Sequence, residues 1–233
     1  MLKQQCRVEF KMILKSKRDA MMTETRLRED LIWVCQQLEK LALLAATDGN
    51  VSCRVGPDRL LITPSGARKG ELKPLDLVLM DLTKGTAVAG HGKASSEVRM
   101  HCLVYRERPD VNAVVHAHPP LLTGCTLAGV SFRAEVLPEV WLTIGPVPTA
   151  PYATPTTEEL ADSIRPFIEN HQAILLERHG SLTVGKNLKE AFMRLEKLEH
   201  AARTLLFAYL LSGKLPKPLP KAALAELVRL VSN

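Results

Sequence analysis

Three of the seven histidines stand where imidazole chemistry can be built. His116 and His118 are two residues apart at the end of an apolar run, 112–115. Side chains of a strand alternate faces with a period of two, so both rings point the same way. Two imidazoles on one face are what a divalent ion needs, and a strand end opening into Pro119-Pro120 is where an α/β sheet exposes its sites. An ordinary strand-end pair is the alternative reading. His179 lies in an Arg-His-Gly turn between two apolar stretches, 173–177 and 182–184, where a structural histidine is the other possibility. Glu97 follows two serines at what reads as a helix start, and an acid in a first turn is also expected simply as a favourable charge near the helix dipole. Taken together, three imidazoles and one carboxylate form a zinc-type set with a displaceable fourth ligand, the arrangement of a catalytic site. A carboxylate displaced by substrate oxygens is free to act as acid or base.

Small residues supply a second theme. Gly49-Asn50-Val51-Ser52, Thr63-Pro64-Ser65-Gly66 and Ser95-Ser96 are each ordinary turn or cap sequences. Together they offer hydroxyls, backbone amides and a helix N-terminus, which cradle a phosphate without a basic cluster. None matches a P-loop or a dinucleotide-binding Gly-x-Gly-x-x-Gly, so nucleotide use is not expected. His101 is four residues beyond Glu97, on the same helix face, and could pair with it or support it. His91, His171 and His200 read as solvated.

The elements that must carry these residues follow from periodicity. Leu27, Leu31, Val34, Cys35, Leu38, Leu41, Ala42 and Ala45 repeat at helical spacing and predict an amphipathic helix over 25–46. Strands are expected at 51–55, 59–63 and 77–81, then a serine-capped helix from 95 to 107 with Glu97 in its first turn. A buried strand at 111–118 leads into a short apolar helix, and one or two strands precede the Pro-rich stretch 146–155. A helix opens at Thr157-Glu158-Glu159, a strand pair flanks His179, a long helix covers 188–211, and a linker at 215–220 precedes a short final helix. No repeat is visible. Strand and helix alternate throughout, which argues for one α/β domain, here 23–214, preceded by a basic extension at 1–22 and followed by the linker and helix of 215–233.

Composition narrows the class. With 46% apolar and 24% charged residues, the chain has the makings of a packed core rather than of disorder. The formal charge of +6 comes from 31 basic and 25 acidic residues, which invites a polyanionic partner. Its location argues otherwise. Lys3, Arg7, Lys11, Lys15, Lys17 and Arg18 against Glu9 put +5 into the first 18 residues and leave +1 for the rest, so no nucleic acid is expected. No apolar run reaches the length of a membrane span and no membrane partner is expected. The five cysteines are odd in number and contain no Cys-x-x-Cys pair, which fits a reducing cytoplasm.

At this point the ordered set of motifs resembles the class II aldolase/adducin family, in particular its fuculose-phosphate aldolase branch. The matching elements are Gly49-Asn50-Val51-Ser52, Ile62-Thr63-Pro64-Ser65-Gly66, Ser95-Ser96-Glu97, His116-Ala117-His118, Pro151-Tyr152-Ala153-Thr154 and Arg178-His179-Gly180, spread over about residues 25–212. The resemblance implies Zn2+, or another divalent ion, held by His116, His118 and His179, with Glu97 as fourth ligand and catalytic acid/base. It implies phosphate contacts from Asn50, Ser65, Gly66, Ser95 and Ser96, a central mostly antiparallel sheet flanked by helices, and a homotetramer with sites between subunits. The reaction it implies is retro-aldol cleavage of a ketose 1-phosphate to dihydroxyacetone phosphate and an aldehyde. One departure stands out: where that branch carries His-Tyr, this chain has Val136-Leu137. The aldehyde-side contacts must therefore differ, and Glu139 and Tyr152 are the polar candidates. Pentulose-phosphate 4-epimerases, sugar-acid phosphate decarboxylases, a dehydratase and the non-catalytic adducin head share the family. Residues 131–139 contain Glu135 and Glu139 but no Asp, against the epimerases, and an intact histidine set argues against the adducin head.

Overall fold

The computed structural model describes residues 23–232, so the expected basic extension and Cys6 lie outside the described residues. Among the described residues, eight strands form one sheet: β1 (Asn50–Arg54), β2 (Arg59–Ile62), β3 (Val78–Asp81), β4 (Thr86–Ala89), β5 (Ala113–Ala117), β6 (Thr149–Ala150), β7 (Ala173–Leu176) and β8 (Gly180–Gly185). Their spatial order is β4-β3-β2-β1-β5-β8-β7-β6. Every neighbouring pair is antiparallel except β6–β7. The expected α/β domain with a mostly antiparallel sheet flanked by helices is therefore what the chain adopts.

The helices are α1 (23–40), α2 (Val98–Glu107), α3 (Pro120–Leu127), α4 (Pro138–Thr143), α5 (Glu158–Ile168), α6 (Leu188–Ser212) and α7 (Lys221–Ser232). Period-2 alternation sends the two sides of each central strand into two different cores. Val51, Cys53 and Val115 join Leu31, Leu38, Leu195 and Leu198 of α1 and α6 on one face. On the other, Leu60, Val114 and Leu182 pack against Met100 and Val104 of α2 and Leu160 and Ile164 of α5. Asn50 and Ser52, out of phase with Val51, are buried polar residues on the α2 side.

Four expectations need correction. The first helix stops at residue 40, not 46, because Ala42 takes a left-handed φ of 53° and reverses the chain. Leu41 is consequently exposed while Leu43 is buried. No strand forms ahead of the Pro-rich stretch. Pro138, with its fixed φ, instead sits in the first turn of α4, and the two-residue β6 lies inside the Pro-rich segment. β4 was not expected; it is exposed along its whole length and so has no buried face to signal it. Finally, Glu97 is not in the first turn of α2 but is its N-cap residue, and Ser95 Oγ accepts from the Glu97 amide at 3.3 Å.

Candidate metal centre

The site is assembled where β1, β5 and β8 run side by side and α2 begins. Asn50 is the direct cross-strand partner of His116, and Ser181 of β8 is that of Ala117. His118 lies one residue past β5, and its backbone N–H donates to Leu43 O at 3.1 Å. His179 closes the β7–β8 hairpin, where Arg178 takes a left-handed φ of 59°. Two glycines allow these segments to approach. A Cβ on Gly180 would lie 2.4 Å from Ala117 O and 2.8 Å from His118 Cδ2, and one on Gly49 would lie 2.8 Å from His116 O.

The three rings meet edge to face with centroids 4.8–4.9 Å apart. One nitrogen from each falls within 4.8 Å of the others. His116 Nδ1 faces Ser181 O at 3.0 Å. A carbonyl only accepts, so Nδ1 carries a proton and Nε2 is the nitrogen that faces the cluster. That Nε2 lies 3.1 Å from His118 Nε2 and 3.1 Å from Glu97 Oε2. His118 Nδ1 looks outward toward Asp48 Oδ2 at 3.6 Å, and His179 Nε2 is 3.3 Å from Glu97 Oε1. Three ring nitrogens and the two carboxylate oxygens thus converge on one point. Glu97 Oε1 is buried with no hydrogen-bond partner. Such an electron-rich cage fits a divalent cation, which would be held by His116, His118, His179 and Glu97.

Electrostatics prepare the same set. Burial first, then the neighbouring His116, pushes both His118 and His179 down to about 4, so each ring is uncharged at neutral pH and has one bare nitrogen to offer. Burial alone would raise the Glu97 carboxyl, but His116 and the Asn50 amide beside it outweigh that and hold Glu97 ionised, well below its usual range.

The residues expected to bind phosphate fall into two groups. Pro64 and Ala94 form an isolated antiparallel bridge, flanked by Ser65 N–H donating to Lys93 O and Ser95 N–H donating to Thr63 O. This tie sets Ser65-Gly66 beside Ser95-Ser96, next to Glu97. Ser65, Gly66 and Ser96 are exposed there. Asn50, by contrast, is buried, with both ends of its amide engaged: Nδ2 donates to Glu97 Oε2 at 2.8 Å and Oδ1 is 2.5 Å from His101 Nε2. Glu139 is exposed on α4 and Tyr152 is exposed in the Pro-rich segment, its backbone N–H donating to Glu177. Neither is among the polar partners of the triad or Glu97.

Sequence reasoning placed His101 near Glu97 but missed what lies between and behind them. Asn50 separates the two, and Ser52 and Tyr105 continue the contacts on the far side of His101. The signal was present in two periods: 97, 101 and 105 mark one helix face, and 50 and 52 one strand face. Lys69 was also missed. Its side chain is buried, and Nζ donates to Thr47 O at 2.6 Å and Ala67 O at 2.7 Å, tying the loop before β1 to the loop after Gly66.

Comparison with known proteins agrees with the geometry. Residues 29–206 match the model of the family described as Class II Aldolase and Adducin N-terminal domain. The chain is 33% identical over 204 residues to 5-deoxy-D-ribulose 1-phosphate aldolase of Bacillus thuringiensis serovar kurstaki, covering 87% of this chain and 93% of that protein. It is 30% identical over 190 residues to 3-oxo-tetronate 4-phosphate decarboxylase of Pectobacterium atrosepticum, covering 80% and 86%. Among solved structures, L-fuculose-1-phosphate aldolase from Thermus thermophilus superposes with a TM-score of 0.71 at 33% identity over 82% of this chain and 98% of the other. With the histidine cage, the sheet order and the family match all coinciding, this chain belongs to the class II aldolase and adducin N-terminal domain family.

Proposed function

We propose that the protein is a zinc-dependent aldolase that cleaves a ketose 1-phosphate to dihydroxyacetone phosphate and an aldehyde. The observation that carries the reading is the buried, unpartnered Glu97 Oε1 set among three inward-facing imidazole nitrogens. A bound divalent ion would act there as a Lewis acid, drawing electron density from the substrate carbonyl. The chain's own residues then do the rest. In the retro-aldol step the C4 hydroxyl gives its proton to the Glu97 carboxylate, the bond between C3 and C4 breaks, its electron pair moves toward the C2 carbonyl, and C4 leaves as the aldehyde. C3 must then gain a proton. Glu97 Oε1 is the ionised, unengaged oxygen in reach of that exchange and serves as the proton carrier. Phosphate contacts fall to Ser65, Gly66, Ser95 and Ser96, because the Asn50 amide is already occupied at both ends.

The proposal includes a cytoplasmic homotetramer with sites between subunits, in which the exposed Glu139 and Tyr152 face the substrate of a neighbouring copy. The second half of α6 supports an assembly, since Phe207, Leu210 and Leu211 are exposed there and such apolar patches mark interfaces. A decarboxylase acting on a 3-oxo sugar-acid phosphate is the second reading, favoured by Leu137. Loss of carbon dioxide leaves the same carbanion next to a carbonyl but needs no hydroxyl on the aldehyde side.

A panel of fuculose, rhamnulose and 5-deoxyribulose 1-phosphates, assayed for dihydroxyacetone phosphate release, tests the first reading. Cleavage of at least one, abolished by chelator and by His116→Ala, is the expected result. Activity indifferent to both would sink it. Turnover of 3-oxo-tetronate 4-phosphate alone would favour the second reading.

A further inference from the structure

The proton-carrying carboxylate is the end point of a buried chain of side chains, and elementary donor–acceptor chemistry fixes the direction of every link. Asn50 Nδ2 donates to Glu97 Oε2 at 2.8 Å, so the NH2 end of the amide faces the carboxylate. That leaves Asn50 Oδ1 facing His101 Nε2 at 2.5 Å. An amide oxygen cannot donate, so His101 carries its proton on Nε2. The His101 ring is fully buried and has no acid against it, and burial pushes it down to about 3, so it is neutral and its Nδ1 is bare. Ser52 Oγ, 2.7 Å away, therefore donates to Nδ1. With its one proton spent, Ser52 accepts from Tyr105 OH at 2.8 Å. Burial raises the Tyr105 phenol, which keeps that donor protonated. Five residues from β1 and α2 thus donate in one direction, from Tyr105 to Glu97.

The chain has a purpose beyond filling hydrogen bonds. An asparagine amide can turn over at little intrinsic cost, and the turned amide would aim Oδ1 at the carboxylate and repel it. His101 Nε2–H is the group that forbids this. Glu97 Oε2 is then committed to Asn50 and lies against His116, while Oε1 has no hydrogen-bond partner and lies 3.3 Å from His179 Nε2. We propose that His101 is a positioning residue: its Nε2–H locks the Asn50 amide, so that Asn50 pins Glu97 Oε2 and leaves Oε1 as the working oxygen of the carboxylate. The inference rests on the aldolase reading for the word "working" but not for the direction of the chain. Fixed donors aimed at a reacting carboxylate are a preorganised environment, which counts in the rate and not in substrate affinity.

Two measurements test it. In 15N-labelled protein, side-chain correlation spectra should show His101 as the neutral Nε2-protonated tautomer; a Nδ1-protonated or cationic ring overturns the proposal whether or not any substrate is found. In steady-state kinetics on the best substrate, His101→Leu should lower kcat by about tenfold or more, as loss of an outer hydrogen-bond partner typically does. KM and bound metal per chain, read by elemental analysis, should stay near the wild-type values. Gln places an amide N–H close to the lost Nε2–H, so His101→Gln should recover most of kcat. Unchanged kcat in His101→Leu overturns the proposal, and so does a His101→Gln that falls as far as His101→Leu. If wild-type protein cleaves no ketose phosphate, the aldolase reading fails while the tautomer still judges the positioning chain.

Discussion

Glu97 differs from a surface glutamate through the company its two oxygens keep. Oε2 is held by the Asn50 amide and lies against His116, whereas Oε1 is buried with no hydrogen-bond partner. Glu97→Gln keeps the size and replaces the proton-accepting oxygen pair by an amide, so kcat should fall by about 10²–10⁴, the usual share of a general acid–base group. A circular-dichroism melt close to wild type would show that the loss is chemical. His101 leaves a mark on stability as well. Its folded value of about 3 lies below the ordinary 6.5, so between those values the unfolded chain takes up a proton that the folded chain refuses. Its contribution is complete above pH 6.5 and is lost as pH falls toward 3, at about 1.4 kcal/mol per pH unit. Going from pH 7 to pH 5, His101→Gln should therefore lose about 2 kcal/mol less than wild type in urea unfolding. Equal losses would contradict the burial of a neutral ring. The histidine cluster was legible in the sequence because strand alternation and a tight Arg-His-Gly turn give His116, His118 and His179 a spacing. Ser52, Tyr105 and Lys69 were not, since each is a common residue whose role exists only once β1, α2 and the loops near Gly66 are in contact.

At the scale of elements, the three clustered histidines depend on how closely three backbone segments approach. Gly180 lets the start of β8 lie against the end of β5, where a Cβ would meet backbone Ala117 O at 2.4 Å and the His118 ring. Backbone cannot swing aside as a flexible side chain can. Gly180→Ala should therefore cost about 3 kcal/mol, the upper end of ordinary overpacking, and weaken metal binding by displacing His118. Gly56, in the turn between β1 and β2, is the control. Its φ of +68° strains an alanine, yet no atom lies within 4 Å of the added Cβ. Gly56→Ala should cost about 1 kcal/mol and leave metal affinity unchanged by titration calorimetry. If both variants lose metal alike, the close approach at Gly180 is not what sets the site. Periodicity read α5 and α6 nearly to their ends, because each has one apolar face and a polar N-cap, Thr157 or Asn187. It misread 138–143, where the apolar run Val140-Trp141-Leu142 is too short to separate strand from helix. Pro138 decides that case, and its weight as a first-turn residue was overlooked.

The whole molecule is organised by one sheet that belongs to two cores. Cys35 of α1 and Cys53 of β1 lie in the α1/α6 layer, whereas Cys102 of α2 lies in the α2/α5 layer. All three are free and buried. Burial pushes Cys35 and Cys53 up to about 12 and raises Cys102, so the reactive thiolate is suppressed in each while the fold holds. Reaction with a thiol reagent then requires that the layer around the cysteine open. Neither layer can separate without stripping the sheet residues that alternate between the two, such as Val114 on one side and Val115 on the other. The two layers should therefore open together. With Cys6 and Cys125 replaced by serine, pulse labelling across a urea series should give the three remaining thiols one midpoint within error. That midpoint should coincide with the loss of helical circular dichroism. A lower midpoint for Cys102 would mean that α2 and α5 unfold as a separate unit. The Asn50–His101 contact joins β1 to α2 across that boundary, so such a separation would also release the carboxylate that the buried chain holds in place.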